Sequence, residues 1–177
     1  KFGLRPDTTV HAYSLLISDE KYFSSNPEYF SLLGDKRVKH SDGGQLCLSN
    51  TDMRAAFAKE LLTQIRAKPH IGVYGFCPND GYGHCECDNC KALDSASDTE
   101  KQLVNKRVAD FVLDICNRIK IEAPQVMLGH YSYSNFSNFL DYLPEPPKNL
   151  LVSFTTFHCY SHSIFDPKCP FNPPHSV

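Results

Sequence analysis

The stretch Ile71-Gly-Val-Tyr-Gly-Phe-Cys-Pro-Asn-Asp80-Gly-Tyr-Gly-His-Cys-Glu-Cys-Asp-Asn-Cys90 decides the fold and points to the site. Its first six residues are apolar and read as a buried strand. The next fourteen, Cys77 to Cys90, carry four cysteines, one histidine and three acidic residues. A buried strand that runs into a loop of this chemistry is what a parallel α/β sheet offers at the carboxyl ends of its strands, where such folds keep their sites.

Working outward, Ser49 or Asn50 caps a helix whose Met53, Phe57, Leu61, Leu62 and Ile65 share one face, and Pro69 ends it. On the other side, a second helix is predicted from about Glu100 to Ile121. Its Val104, Val108, Phe111, Val112, Ile115 and Ile119 form a core-facing stripe, and Pro124 closes it. Strands are predicted over Thr8–Ile17, Gln125–Ser132 and Leu150–Phe157. Residues 18–48 read as irregular apart from a short helix at Asn26–Phe30 and a turn at Asp42-Gly43-Gly44. A short aromatic helix is expected near Phe136–Tyr142. The order β-α-β-α-β-(α)-β implies parallel strands with right-handed crossovers. The expected fold is therefore α/β of the (β/α)₈ barrel type, with 1–177 a single partial barrel domain. The rival is a small open doubly wound sheet. Both ends look cut, so the expectation is a fragment of a longer protein, the N-terminal half or so of the barrel.

Bulk composition narrows the classes. With 177 residues, 41% hydrophobic and 21% charged, the chain matches one ordinary globular core. A net charge of −2 gives no basic footprint for nucleic acid, and no apolar run has the length of a membrane span. Glycine-rich phosphate loops, Gly-x-Ser-x-Gly elbows and His-Glu-x-x-His motifs are missing from the sequence.

Polar groups fall at four successive strand ends: His11 and Tyr13, then Asn79 and Asp80, then His130, Tyr131 and Tyr133, then His158 and Cys159. Asp80 reads as a general acid or base or a substrate-orienting group, although Asn-Asp-Gly is also turn chemistry. His11, Tyr13, His130, Tyr133 and His158 are the expected ligand-binding residues, against the alternative that a strand histidine is a satisfied core or rim residue. Of the two tyrosines flanking Ser132, Tyr133 lies nearer the strand end and is the better contact. Cys85-x-Cys87-x-x-Cys90 has the spacing of a zinc clamp, with a fourth ligand from Cys159, or from His84, Cys77 or His158. The alternative is disulfides to Cys159 or Cys169. Cys116 reads as a buried hydrophobe. Such a zinc would be structural, and no cofactor is expected for catalysis.

Lys21-Tyr-Phe, Asn26-Pro-Glu-Tyr-Phe-Ser-Leu-Leu-Gly-Asp-Lys-Arg37, Gln45-Leu-Cys-Leu-Ser-Asn50, Pro78-Asn-Asp-Gly81 and Cys85-Glu-Cys-Asp-Asn-Cys-Lys-Ala-Leu-Asp94 follow one another at a characteristic spacing. Together they resemble the bacterial family catalogued as domain of unknown function 4838, over about Thr9 to Pro173. That family is associated with glycoside hydrolase family 163 and is similar in plan to hexosaminidase and α-glucuronidase barrels. The resemblance implies a secreted or periplasmic glycoside hydrolase with a glycan substrate, acting on β-N-acetylglucosaminide linkages by a substrate-assisted, retaining route. It makes Asn79 and Asp80 the catalytic pair, with a further carboxylate from Glu86 or from beyond this chain. Family members often carry Glu where this chain has Phe157, which implies the alternative of a non-catalytic glycan-binding module with a metal- or disulfide-pinned loop.

Overall fold

The computed structural model describes residues 6–155 and 168–169. Phe157, His158 and Cys159 lie outside them. The chain runs through β1 (Asp7–Thr8), α1 (Tyr13–Leu16), a π-helical turn at Asp19–Phe23 and a 3₁₀ turn at Pro27–Tyr29. Then come the hairpin β2 (Ser31–Leu33) and β3 (Lys36–Val38), a 3₁₀ turn at His40–Asp42, α2 (Thr51–Ala67), β4 (Val73–Gly75), α3 (Asp88–Lys91) and α4 (Ala96–Glu100). The last elements are α5 (Asn105–Glu122), β5 (Met127–Ser132), two 3₁₀ turns at Ser134–Phe136 and Phe139–Tyr142, and β6 (Leu150–Phe154). This is a mixed α/β fold. Its main sheet is four-stranded and parallel, in the order β1-β4-β5-β6.

The helices form where capping and periodicity demand. Asn50 caps α2 by accepting the Met53 N–H at 2.8 Å. Met53, Phe57, Leu61 and Ile65 of α2 meet Val108, Phe111, Val112, Ile115 and Ile119 of α5 in one core cluster over the sheet. Close backbone approach brings β1, β4 and β5 together: a Cβ on Gly75 would lie 2.2 Å from the Thr8 carbonyl oxygen.

Several expectations are corrected. The first strand is regular only over Asp7–Thr8, with one further bridge from His11 to Cys77. Ala12, Tyr13, Leu16 and Ile17 are buried while Leu15 is 65% exposed, which is the period of a helix and not of a strand. Tyr13 consequently leaves the strand ends. It sits edge-on to Phe57 and Phe111 at 5.5 and 5.6 Å between ring centres, in the core, and burial pushes its phenol well up.

The second predicted helix is shorter than expected: α5 starts at Asn105, and Glu100 belongs to a first, separate helix, α4. Gln102 takes a left-handed backbone (φ 55°) and ends the first. The buried Asp98 carboxylate then accepts the Asn105 side-chain amide at 3.0 Å and the Lys106 N–H at 2.9 Å, which starts α5. Residues 31–38 form a hairpin whose turn depends on Gly34 at φ 60°.

His130 also leaves the expected site. It is fully buried among Phe76, Phe136 and Phe139, with ring centres 5.0–5.8 Å away. Its Nδ1–H donates to the Tyr131 carbonyl at 2.7 Å, and Nε2 has no partner. Burial pushes His130 down to about 4 from 6.5. The unfolded chain therefore takes up a proton that the folded chain refuses as pH drops from 6.5 to 4. Stability is whole above that window and lower by about 3 kcal/mol below it. His130→Phe should remove this component. Measured by urea titration across pH 7 to 4, the variant should gain about 3 kcal/mol on the parent.

A strand-end cleft and a four-thiol cluster

The loop after β4 is fastened by Asn79. Its Oδ1 accepts from the Ser14 N–H and hydroxyl, both at 3.1 Å, and its Nδ2 donates to His40 Nδ1 at 2.8 Å. Its backbone exchanges hydrogen bonds with the Gln45 side chain at 2.7 and 3.1 Å. Burial pushes His40 down, favouring the neutral ring that can accept from Asn79. Every polar group of Asn79 is thus engaged in holding the loop, and it acts as a positioning residue. Further along, Gln45 N–H donates to the Gly83 carbonyl at 2.8 Å. A Cβ on Gly83 would lie 2.0 Å from the Gly43 carbonyl oxygen, so only glycine lets this loop dock on the 43–45 segment.

Between these fastenings the exposed Asp80 projects into a cleft of about 450 Å³ that Tyr82, Tyr133, Asn135 and Phe136 also line. The Tyr133 hydroxyl points at Asp80 Oδ1 from 3.4 Å. That separation is long for an O–H···O bond. Partial burial, and then the Asp80 charge, push the Tyr133 phenol up and keep it a donor. His11 packs edge-on to Tyr133 with ring centres 6.3 Å apart, and its Nδ1–H donates to the Pro78 carbonyl at 2.5 Å, which leaves Nε2 as the acceptor. Asp80, Tyr133 and His11 thus meet at the carboxyl ends of β4, β5 and the β1 extension. Tyr131 is spoken for, its hydroxyl donating to the Thr9 carbonyl at 2.5 Å. Glu86 turns the other way and accepts the Gly34 N–H at 3.0 Å, which removes it as a second carboxylate in the cleft. Tyr82, 75% exposed, is a cleft residue the sequence reading passed over.

Beneath the loop, Cys47, Cys85, Cys87 and Cys90 bring their sulfurs within 4.8 Å of one another, a set able to hold a metal ion. Cys47 Sγ lies 3.7 Å from both Cys87 Sγ and Cys90 Sγ. Sulfurs at about 2.3 Å from a tetrahedral zinc stand roughly 3.8 Å apart, so these spacings suit the ion. They are far too long for a disulfide at about 2.05 Å. All seven described cysteines are free thiols. Leu32 N–H donates to Cys85 Sγ at 3.3 Å, Arg37 Nη1 lies 3.9 Å from the same sulfur, and the Ser49 hydroxyl is 3.1 Å from Cys90 Sγ. Hydrogen bonds from Cys85 and Cys90 pull Cys47 down, and the bond to Cys47 pushes Cys85 up to about 11. The cluster shares its charge as a unit, as close thiols must.

Among the described residues Cys47 joins the three loop cysteines; of the fourth ligands offered by the sequence, Cys159 and His158 lie outside the described residues. His84 turns Nε2 to the Asn135 amide at 2.6 Å instead. Cys77 accepts the Tyr131 N–H at 3.2 Å in a buried site that pushes its thiol up to about 12. Alternation was the available signal: Leu46 and Leu48 face the core, so Cys47 between them faces away from it.

Among the described residues no helix is long and apolar enough to cross a membrane. Neither a curated protein nor a solved structure matches the chain. Residues 2–172 match the family described as Domain of unknown function (DUF4838). The match takes in both the cleft and the thiol cluster, and the chain belongs to that family.

Proposed function

We propose that this chain forms part of a (β/α)₈-type barrel that binds N-acetylated glycans at the strand-end cleft and supports cleavage of β-N-acetylglucosaminide linkages in a secreted or periplasmic protein. The observation that carries the reading is the Asp80–Tyr133 pair. An acetamido group has one N–H and one carbonyl. Asp80 accepts the first and Tyr133, kept protonated, donates to the second. Held this way, the acetamide oxygen is positioned to attack the anomeric carbon, the substrate-assisted variant of retaining hydrolysis. His11 backs Tyr133 and, held at Nδ1 by the Pro78 carbonyl, fixes where that ring stands. Tyr82, lining the cleft and largely exposed, offers a ring face to the apolar side of a sugar. The strand order supports the barrel, because β1-β4-β5-β6 is sequential with no reversal of the kind a doubly wound sheet shows. In this reading a zinc ion at the thiol cluster is a pin for the loop and no reagent.

One observation favours the second reading, a glycan-binding module without hydrolysis: among the described residues Asp80 is the one carboxylate lining the cleft. A single experiment separates the two. Asp80→Asn keeps shape and removes the anion. On an aryl N-acetylglucosaminide, turnover by the complete protein should fall on the order of 100-fold or more. Turnover that does not respond to Asp80→Asn sinks the catalytic assignment. Binding of N-acetylglucosamine oligomers without turnover in the parent establishes the module.

A further inference from the structure

We infer that Cys47 closes a tetrathiolate site with Cys85, Cys87 and Cys90, and that this site holds one soft divalent cation, zinc by its chemistry. The four sulfurs come from two separate parts of the chain, the extended segment before α2 and the loop ending in α3. Nothing in local chain geometry forces residues 43 positions apart in sequence to place sulfurs 3.7 Å from each other. Three of the four are buried and Cys87 is half-buried. Burying several thiols against one another with only shared S–H···S contacts is a poor use of a core, since such hydrogen bonds are weak. A cation makes the arrangement favourable by letting all four ionise.

The balance is simple. One M²⁺ enters, the thiol protons leave, and an M(S)₄ unit of net charge −2 remains. The surroundings fit an anion of that kind. Arg37 brings a guanidinium to 3.9 Å from Cys85, while Leu32 N–H and the Ser49 hydroxyl supply hydrogen bonds to sulfur. Soft sulfur donors select Zn²⁺ over Mg²⁺ or Ca²⁺. Four protein ligands leave no position for water, so the ion is structural. Its ligand from Cys47 ties the segment that carries Gln45, the partner of Asn79, to the far end of the loop that carries Asp80. A groove of about 330 Å³ bounded by Arg37, Ser49, Cys87 and Asp88 opens beside the sulfurs and gives the ion its way in.

The test uses the full chain, purified under reducing conditions and loaded with Zn²⁺ or Co²⁺. One ion per chain is expected, with the cobalt form showing the intense thiolate charge-transfer and visible bands of tetrahedral Co–S₄. Cys47→Ser should weaken zinc binding, measured against a chromophoric chelator, by more than the 10–100-fold that loss of an outer-shell partner costs. Cys116→Ala, whose sulfur lies in the core away from the cluster, should leave it unchanged. If Cys47→Ser does not fold, the parent still decides: metal should shield four thiols from alkylation, Cys47 among them. Failure to take up metal, shielding of the other three only, an unchanged affinity in Cys47→Ser, or Cys47 recovered in a disulfide would each overturn the site. None of these readouts depends on glycan turnover, so the metal site and the proposed hydrolysis fail separately.

Discussion

Arg107→Met should cost the folded chain about 3–5 kcal/mol, the usual penalty for leaving one member of a buried ion pair alone. Arg107 and Asp94 side chains are 4% and 10% exposed. The pairing is bidentate, with Nε to Oδ1 at 3.0 Å and Nη2 to Oδ2 at 2.5 Å. The third arm of the guanidinium, Nη1, donates to the Cys85 carbonyl at 2.7 Å. Removing the cation strands a carboxylate in a dry site and unties the backbone of a cluster cysteine. Asp94→Leu made in the same chain should recover much of the loss, because an apolar pair of similar size needs no partner. Urea unfolding with unchanged m-value is the measurement. A single-variant loss under 1 kcal/mol would show that the pair is not what holds α5 to the loop.

Phe111→Ala should be comparably damaging, about 3–5 kcal/mol. Phe111 is fully buried and packs edge-on against Phe57 at 5.1 Å and Tyr13 at 5.6 Å between ring centres. Arg54 lies over its face at 5.8 Å. The three rings join α1, α2 and α5, so the void cannot close by moving one side chain. The Tyr13 hydroxyl already lacks a partner in this core, and nothing polar is released to offset the cavity. Phe111→Leu should lose much less, which distinguishes lost volume from lost aromatic geometry. Thermal unfolding of both variants is the check, and an alanine variant within 1 kcal/mol of the parent would mean the core repacks freely.

Much of the fold was legible because its signals are local. The stripe Met53, Phe57, Leu61, Leu62, Ile65 and the stripe Val108 to Ile119 both read at helical period, and all of these residues are buried except Leu62, which is half-buried at the stripe's edge. β4, β5 and β6 are short apolar runs that each follow a helical element, and the sequence reading located all three. What failed was decided by contacts distant in sequence. Residues 8–17 are apolar enough for a strand, and only packing of Tyr13 on Phe57 and Phe111 shows that a helical turn intervenes. Three-residue strands such as β2 and β3 are too short to show a period. His130 was read from its place in β5, but a strand has two faces, and 3₁₀ turns carrying Phe136 and Phe139 cover this one.

At the site, the loop announced itself by composition, and Asp80 and Tyr133 lie together in the cleft. The partners that fix the loop were silent. Asn79 depends on Ser14, His40 and Gln45, residues 34 to 65 positions away, which no motif connects. Cys47 had only alternation to mark it: in sequence it is a solitary cysteine between leucines, and no spacing motif joins it to Cys85, Cys87 and Cys90.

Residues 80–83 are a four-link bridge hung between two piers, Asn79 on one bank and the docked Gly83 with the sulfur cluster on the other. A span so short and fastened at both ends has little freedom to move, so in the proposed glycan reading a ligand would meet a shape already cut.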